Sequence, residues 1–406
     1  MAVGLSGDLP EMFPVAGVRW GTACAGIKKA GRRDLVVMAL EENVSCAAVF
    51  TRNAFCAAPV VVAKKHLVKT TPKLLVINTG NANAGTGEPG MQDALTVCES
   101  LAKLHGCHPD EVLPFSTGVI GEPLPVLKII SALPVAHSKL SITGWDDAAF
   151  GILTTDTVPK GVSKRVEVNG HTVTITGIAK GAGMIRPDMA TLLAFIATDA
   201  GFSDELLQEC LSQSVDHSFN SVTVDGDTST NDSCVLVATG LSTLPKLTTK
   251  NEAYNEVSEA ITSVCEQLAQ AIIRDGEGAT KFITVEVIGG ASKEECREVA
   301  YTVAHSPLVK TAFFAGDPNW GRILAAVGRS GISGLDISKL TIHLGEVCIV
   351  KDGGRAPEYS EAAGQAVMNQ SEITVRIDLG RGTSSARIWT CDFSYDYVKI
   401  NAEYRT

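Results

Sequence analysis

The sequence predicts an α/β protein with a large main body, residues 1–284, and a smaller C-terminal α/β domain, residues 285–400. Three observations carry this reading. Short runs of Val, Ile, Leu and Ala alternate with segments of helical periodicity along the whole chain. A length of 406 residues exceeds what one small core organises. From about Ile283 the texture changes: strands at Ile283–Ile288, Leu340–Leu344, Ile373–Leu379 and Ala386–Cys391 alternate with helices near Lys293–His305, Trp320–Val327 and Glu361–Met368.

Taken in order, the first quarter reads as strands at Asp34–Leu40, Ala47–Thr51, Val60–Ala63 and Leu74–Asn78, joined by turn-rich links. Apolar residues recurring at three- and four-residue spacing predict a helix over Met91–His105, and a second helix is expected over Asp146–Leu153. Val166–Val168 and Thr172–Ile178 form a hairpin, with Asn169-Gly170 as the turn. The unbroken apolar run Leu192 to Ala197 reads as a strand over Thr191–Asp199, buried on both faces. Ser203 is an N-cap and Asp204-Glu205 an acidic first turn, so Leu206–Val215 is helical. Val257, Ile261, Val264, Leu268 and Ile272 define the clearest amphipathic helix in the chain.

Composition narrows the function. Apolar content of 45% with 20% charged residues describes a soluble globular protein, and a net charge of −10 argues against nucleic acid or an anionic membrane as principal partner. Met1–Met12 carries Asp8 and Glu11 and lacks the basic start and apolar core of a secretory signal. No stretch approaches the roughly 20 apolar residues of a spanning helix. The 11 cysteines are scattered and never spaced C-x-x-C, the pattern of reduced thiols in a cytoplasmic protein.

The chemistry centres on Lys180-Gly181-Ala182-Gly183-Met184-Ile185-Arg186-Pro187-Asp188-Met189-Ala190-Thr191, a glycine-rich loop feeding straight into the apolar run. Thr191 sits behind a small residue at the mouth of a core strand, a setting that suits a hydroxyl attacking the peptide bond in front of it. Cleavage there would leave a free α-amine, whose reference pKa of about 7.7–8.0 lets it serve as base for its own hydroxyl. Phe115-Ser116-Thr117-Gly118-Val119-Ile120-Gly121 offers the hydroxyl and amide donors an oxyanion hole needs, and equally the composition of a turn. Asp225 to Asp232 is dense in oxygen ligands but matches a calcium loop only partly, and turn chemistry explains it as well. His105-Gly106-Cys107-His108 lacks a second ligand cluster, so no metal is expected and Gly106 ends the preceding helix. Gly85 to Gly90 fits G-x-G-x-x-G formally, but it lies too far from its strand, and Pro89 removes an amide donor. A structural loop is favoured there over a dinucleotide site. In Arg274 to Gly278, Glu277 is a loop carboxylate between two glycines, of a kind that often binds a substrate amine and more commonly is simply solvated.

Together these stretches resemble the ornithine acetyltransferase family, the bifunctional glutamate N-acetyltransferases of arginine biosynthesis. The resemblance spans essentially the whole chain. It includes Val76 to Ala84, Ser116 to Gly121, Thr154 to Lys160, Gly177 to Gly181, Pro187 to Thr191, Thr223 to Ser233, Arg274 to Phe282 and Gly316 to Arg322. It implies a layered αββα sandwich of the N-terminal-nucleophile-like type shared with D-aminopeptidases. It further implies self-cleavage between Ala190 and Thr191, giving chains 1–190 and 191–406 that pair as an α2β2 heterotetramer. Thr191 resembles the nucleophile, and Thr117 and Gly118 the oxyanion-hole pair. Thr154, Lys180, Glu277, Asn401 and Thr406 match substrate-binding positions, residues 401–406 being a tail that returns to the active site. The implied reaction moves acetyl from N-acetylornithine to glutamate with no bound cofactor, and some members also accept acetyl-CoA as co-substrate. The alternative is an N-terminal-nucleophile amidohydrolase or aminopeptidase that passes the acyl group to water. Departures are Ala182, where serine is usual, Arg186, where a smaller residue or His is common, and Asp188, where asparagine is usual. They bear on the rate of cleavage rather than on the nucleophile.

Overall fold

The structure, a computed structural model, describes residues 2–186 and 192–403. Its strands are β1 (Val18–Ala23), β2 (Leu35–Leu40), β3 (Ser45–Phe50), β4 (Leu74–Asn81), β5 (Val112–Val119), β6 (Lys160–Val168), β7 (His171–Lys180), β8 (Leu193–Thr198), β9 (Val222–Thr223), β10 (Ser233–Ala238), β11 (Phe282–Gly290), β12 (Thr341–Leu344), β13 (Val347–Lys351), β14 (Gly354–Arg355), β15 (Glu372–Asp378) and β16 (Ser384–Cys391). The helices are α1 (Ala58–Lys69), α2 (Gly87–His105), α3 (Val126–Ser138), α4 (Trp145–Gly151), α5 (Asp204–His217), α6 (Glu252–Arg274), α7 (Lys293–Ala304), α8 (Pro307–Ala315), α9 (Trp320–Gly328), α10 (Glu361–Met368) and α11 (Tyr395–Ala402).

Two sheets face each other in the main body, one ordered β1-β2-β4-β5 and the other β3-β10-β8-β7-β6. Alternation along the strands builds the layers. In β8, Leu193, Phe195 and Ala197 point into the core between the sheets, while Ala194 and Ile196 pack outward under α5 and α6. In β2, Val36, Met38 and Leu40 face inward, and Leu35, Val37 and Ala39 meet α2 and α3. Both faces of these strands are therefore dry, which is why their sequences are continuous apolar runs. Trp20, Phe115, Phe195 and Trp145 interlock edge to face between the sheets, with the Phe115 and Phe195 centroids 5.2 Å apart. The result is the αββα sandwich.

A third sheet, ordered β14-β13-β12-β15-β11-β16-β9, is covered by α7, α8, α9 and α10 over a separate core that starts at Ile283. Strand β9 belongs by sequence to the main body, and its parallel pairing with β16 stitches the two parts together.

Local expectations meet the structure unevenly. The Asn169-Gly170 turn has φ of 51° and 78°, as a two-residue hairpin turn between β6 and β7 demands. Ser203 Oγ accepts from the Leu206 amide at the start of α5, and all five apolar residues named for the long amphipathic helix are buried along α6. Gly106 closes α2 in the left-handed region, φ 85°. One expectation is overturned. Val60–Ala63 is not a strand but lies inside α1: Pro59 occupies the first helical turn, and Val60, Ala63 and His66 are buried at helical spacing. Packing thus overrides the β preference of three consecutive valines. Phe115 to Val119, left open in the sequence, is the end of β5, paired in parallel with β4.

Candidate active site

Segments from both sheets, and from the last helix, converge on one cavity of about 280 Å³. Parallel pairing of β4 with β5 becomes irregular at Gly80 and Asn81, opposite Thr117 to Val119. Gly118 adopts φ 136°, and a Cβ there would lie 2.3 Å from the carbonyl carbon of Gly80, so only glycine lets the two backbones approach. The segment before β10 locks this strand end: Asn231 Nδ2 donates to Ala82 O at 2.6 Å and to Ser116 O at 2.9 Å.

On the opposite wall, Lys180 ends β7 and donates from Nζ to Thr154 Oγ1 at 3.0 Å. Beneath them runs a buried charge chain. Asp156 accepts from Lys160 at 2.6 Å, from the Gly181 amide at 2.7 Å and from the Thr154 amide at 3.0 Å. Lys160 also meets Asp275 at 2.7 Å, and Asp275 accepts from the Thr157 amide at 3.0 Å and from the Thr157 hydroxyl. Burial alone would raise the Asp156 carboxyl, but Lys160 and Lys180 beside it, with its hydrogen bonds, hold it well below the usual carboxylate range. The same burial draws the Lys180 ammonium down, while Asp156, Asp232 and Glu277 oppose it. Asp232 goes the other way: burial pushes its carboxyl well above the usual range, against Ser229 and Lys180.

Glu277 follows α6 and is 7% exposed. Its amide donates to Ala182 O at 2.8 Å, and its Oε2 accepts from Asn401 Nδ2 on α11 at 2.8 Å. A Cβ on Gly183 would lie 2.5 Å from that carboxylate, so the glycine-rich loop is glycine where Glu277 crosses it. Farther along, the Asp225 carboxylate accepts from the Met184 amide at 2.7 Å and the Ile185 amide at 2.9 Å, holding Met184 at φ 55°. Thr223 Oγ1 and the Val224 amide both donate to Ile185 O at 2.8 Å. The described part of the loop, as far as Ile185, is thus held by polar groups from beyond it.

Of the residues singled out in the sequence, Thr117, Gly118, Thr154, Lys180, Glu277 and Asn401 line this one cavity. Ala190, Thr191 and Thr406 lie outside the described residues. Asn401 belongs to α11 rather than to an extended tail. Asn231 and Asp232, to which the sequence assigns no role, also line the cavity, and Asp156 and Asp225 hold backbone amides of the loop at Gly181, Met184 and Ile185. Their signal was the polar density of Thr154 to Thr157 and of Asp225 to Asp232, where each carboxylate turns out to serve backbone amides. Of the Gly85–Gly90 stretch, expected as a loop before a helix at Met91, Gly87–Gly90 instead form the first turn of α2, and Asn83 Nδ2 donates to Gly90 O at 2.9 Å. Among the described residues no group of three or more His, Cys, Asp or Glu is placed to hold a metal ion, and no helix is long and apolar enough to cross a membrane.

A glycine-bearing strand end, a half-buried lysine and a buried glutamate around one small cavity in an αββα sandwich fit an enzyme of acyl transfer. Comparison with known proteins makes this particular. The model of the ArgJ family matches residues 19–406. Two relatives described as arginine biosynthesis bifunctional protein ArgJ, from Pseudomonas fluorescens (strain Pf0-1) and Pseudomonas syringae pv. tomato, are each 58% identical over 407 residues, covering 100% of both chains. The chain belongs to the ArgJ family, a family of bifunctional enzymes of arginine biosynthesis. Among solved structures it is similar to the arginine biosynthesis bifunctional protein of Bacillus halodurans, with 40% identity over 50% of this chain and 95% of that one, TM-score 0.48. It is also similar to the ornithine acetyltransferase of Mycobacterium tuberculosis, solved with ornithine, with 32% identity over 45% of this chain and 98% of that one, TM-score 0.40.

Proposed function

We propose that this enzyme moves an acetyl group from N-acetylornithine to glutamate through an ester on Thr191, after cutting itself between Ala190 and Thr191. In the cut, Thr191 Oγ adds to the Ala190 carbonyl carbon, the C–N bond breaks and the hydroxyl proton ends on nitrogen. Water then hydrolyses the ester, freeing a carboxylate on Ala190 and restoring the Thr191 hydroxyl beside the amine released when the C–N bond broke. In transfer, that amine takes the hydroxyl proton as Oγ adds to the acetyl carbon. The proton passes to the departing nitrogen, and ornithine leaves an acetyl-Thr191 ester that glutamate's amine takes up by the reverse path.

The observation that carries this reading is the shared cavity. Thr117, Gly118, Thr154, Lys180, Glu277 and Asn401 come from distant parts of the sequence and meet there. Each fits a role. Donors at Thr117 and Gly118 hold the oxyanion, Lys180 steadied by Thr154 pairs with the α-carboxylate common to both substrates, and Glu277 steadied by Asn401 receives an amine. Thr406 would add its terminal carboxylate for the side-chain ammonium. The reaction so written needs no bound cofactor, with acetyl-CoA as an additional acetyl donor, and the fragments 1–190 and 191–406 assemble as α2β2 in the cytoplasm.

Mass spectrometry of the purified protein and of Thr191→Ala tests the reading. The wild type is expected as two fragments split at 190/191, carrying an acetyl group on the second after exposure to N-acetylornithine. Thr191→Ala is expected as one chain with transfer reduced roughly 10,000-fold. A split Thr191→Ala protein would end the self-cleavage account, and full transfer by an unsplit one would end the covalent account.

A further inference from the structure

Thr154 and Lys180 line the cavity from separate segments and meet at 3.0 Å, Lys180 Nζ donating to Thr154 Oγ1. Both segments are held by one carboxylate behind them. The Asp156 side chain is fully buried against that of Lys160 and stands beneath the cavity wall rather than in it. Its Oδ1 accepts from the Lys160 ammonium at 2.6 Å and from the Gly181 amide at 2.7 Å, while Oδ2 accepts from the Thr154 amide at 3.0 Å. One oxygen thus fixes the backbone of Thr154, and the other fixes the residue directly after Lys180. Behind this group Lys160 is itself held, by Asp275 at 2.7 Å and by Val158 O at 3.3 Å. The desolvation of two buried charges is offset only where the geometry is good and the remaining oxygens are hydrogen-bonded, and here both conditions are met.

We propose that Asp156 is a positioning residue for carboxylate recognition: its two oxygens, by holding the Thr154 and Gly181 amides, fix the Thr154–Lys180 pair in the geometry that selects a substrate α-carboxylate over an uncharged group of the same shape. This rests on the reading above that Lys180 pairs with that carboxylate. A lysine carries a compact charge on a flexible stem, so its selectivity depends on what holds the stem and its neighbours in place. Thr154 supplies the acceptor that orients the ammonium, and Asp156 anchors the backbone at both ends of that contact. Lys160 offsets the charge of Asp156, so the carboxylate orders the wall without repelling the incoming substrate. Asp156 also favours the charged form of Lys180, with Asp232 and Glu277, against burial and Lys160. Selection of a carboxylate needs that charge.

The test uses the full-length enzyme and its Asp156→Asn and Asp156→Asn/Lys160→Met variants. Each preparation is assayed with N-acetylornithine and with the α-carboxamide of N-acetylornithine, which keeps the same reacting acetyl group. The ratio of the two kcat/KM values cancels the amount of active enzyme and any loss common to both substrates. The wild type is expected to favour the carboxylate by at least roughly 100-fold, as a site built around a charged partner does. In Asp156→Asn one oxygen becomes an NH2, which opposes a backbone amide donor or the Lys160 ammonium, and the ratio should fall roughly 10-fold or more, chiefly through KM for the carboxylate. The double variant also removes the buried ammonium, while Asp275 keeps its donors from the Thr157 amide, the Thr157 hydroxyl and the Val158 amide. It should show the same fall and carries the test if the single variant does not accumulate. Where a preparation has no turnover, the ratio is read as calorimetric Kd values for the same two compounds. A ratio within about threefold of wild type overturns the proposal, because equal losses on both substrates would make Asp156 a structural group alone. A wild type that does not discriminate would instead remove the role given to Lys180, and it is seen before any variant is compared.

Discussion

Through their bodies β5, β8 and β10 are packed on both faces by apolar side chains, while at one end the same region of the fold holds Thr117, Gly118, Asn231 and Asp232 around a polar cavity. The two regions are stabilised by different physics. In the body, burial acts without direction, and any well-shaped apolar side chain would serve. At the end, conformation is set by a few directed bonds, with carboxylates accepting backbone amides at Gly181, Met184 and Ile185. The body should therefore fail by losing stability, and the end by losing geometry while the fold survives.

Three substitutions separate these failures. Phe195→Ala empties a fully buried site between the sheets, against Phe115 and Trp20, and should lower unfolding free energy by about 3–5 kcal/mol in denaturant titration. Its cleavage and transfer should stay near normal wherever the protein remains folded. Gly118→Ala forces a Cβ to within 2.3 Å of Gly80 and should displace the strand end. If that end holds the oxyanion, kcat falls roughly 100- to 1,000-fold, about 2.7–4 kcal/mol, with a smaller change in Tm. Asp225→Asn retains one acceptor for the two loop amides and leaves the other unpaired. Charge-assisted hydrogen bonds contribute about 1.5–3 kcal/mol, so splitting at 190/191 should slow by roughly 10-fold or more in a gel time course, with Tm little changed. Equal stability losses from Phe195→Ala and Asp225→Asn would erase the distinction between body and end.

The body was largely legible in the sequence. Leu192 to Ala197 announces a strand covered on both sides, and Val257 to Ile272 announces a helix with one buried face, because apolar periodicity is a local record of burial. Misreading came where two local signals compete: Val60-Val61-Val62 prefers a strand, but its burial at helical spacing under the first sheet decides for α1. Phe115 to Val119 stays open in the sequence because Ser, Thr and Gly are turn formers, and only pairing with β4 makes it a strand. The individual roles of Asp156 and Asp225 left no local pattern. A carboxylate serving an amide dozens of residues away has the same sequence as one facing water.

By itself, then, the sequence determined the alternation of α and β, most of the principal helices and strands, and the glycine-rich loop from Lys180, since each of these follows from neighbours along the chain, whereas the layering rested on the family resemblance. Only the tertiary structure decided that Glu277 crosses Gly183, that Asn401 reaches Glu277 from the last helix, and that Asp232 lines the cavity. These are contacts between residues far apart in sequence. Their geometry depends on how two sheets and a third core pack together, which no short stretch of residues encodes.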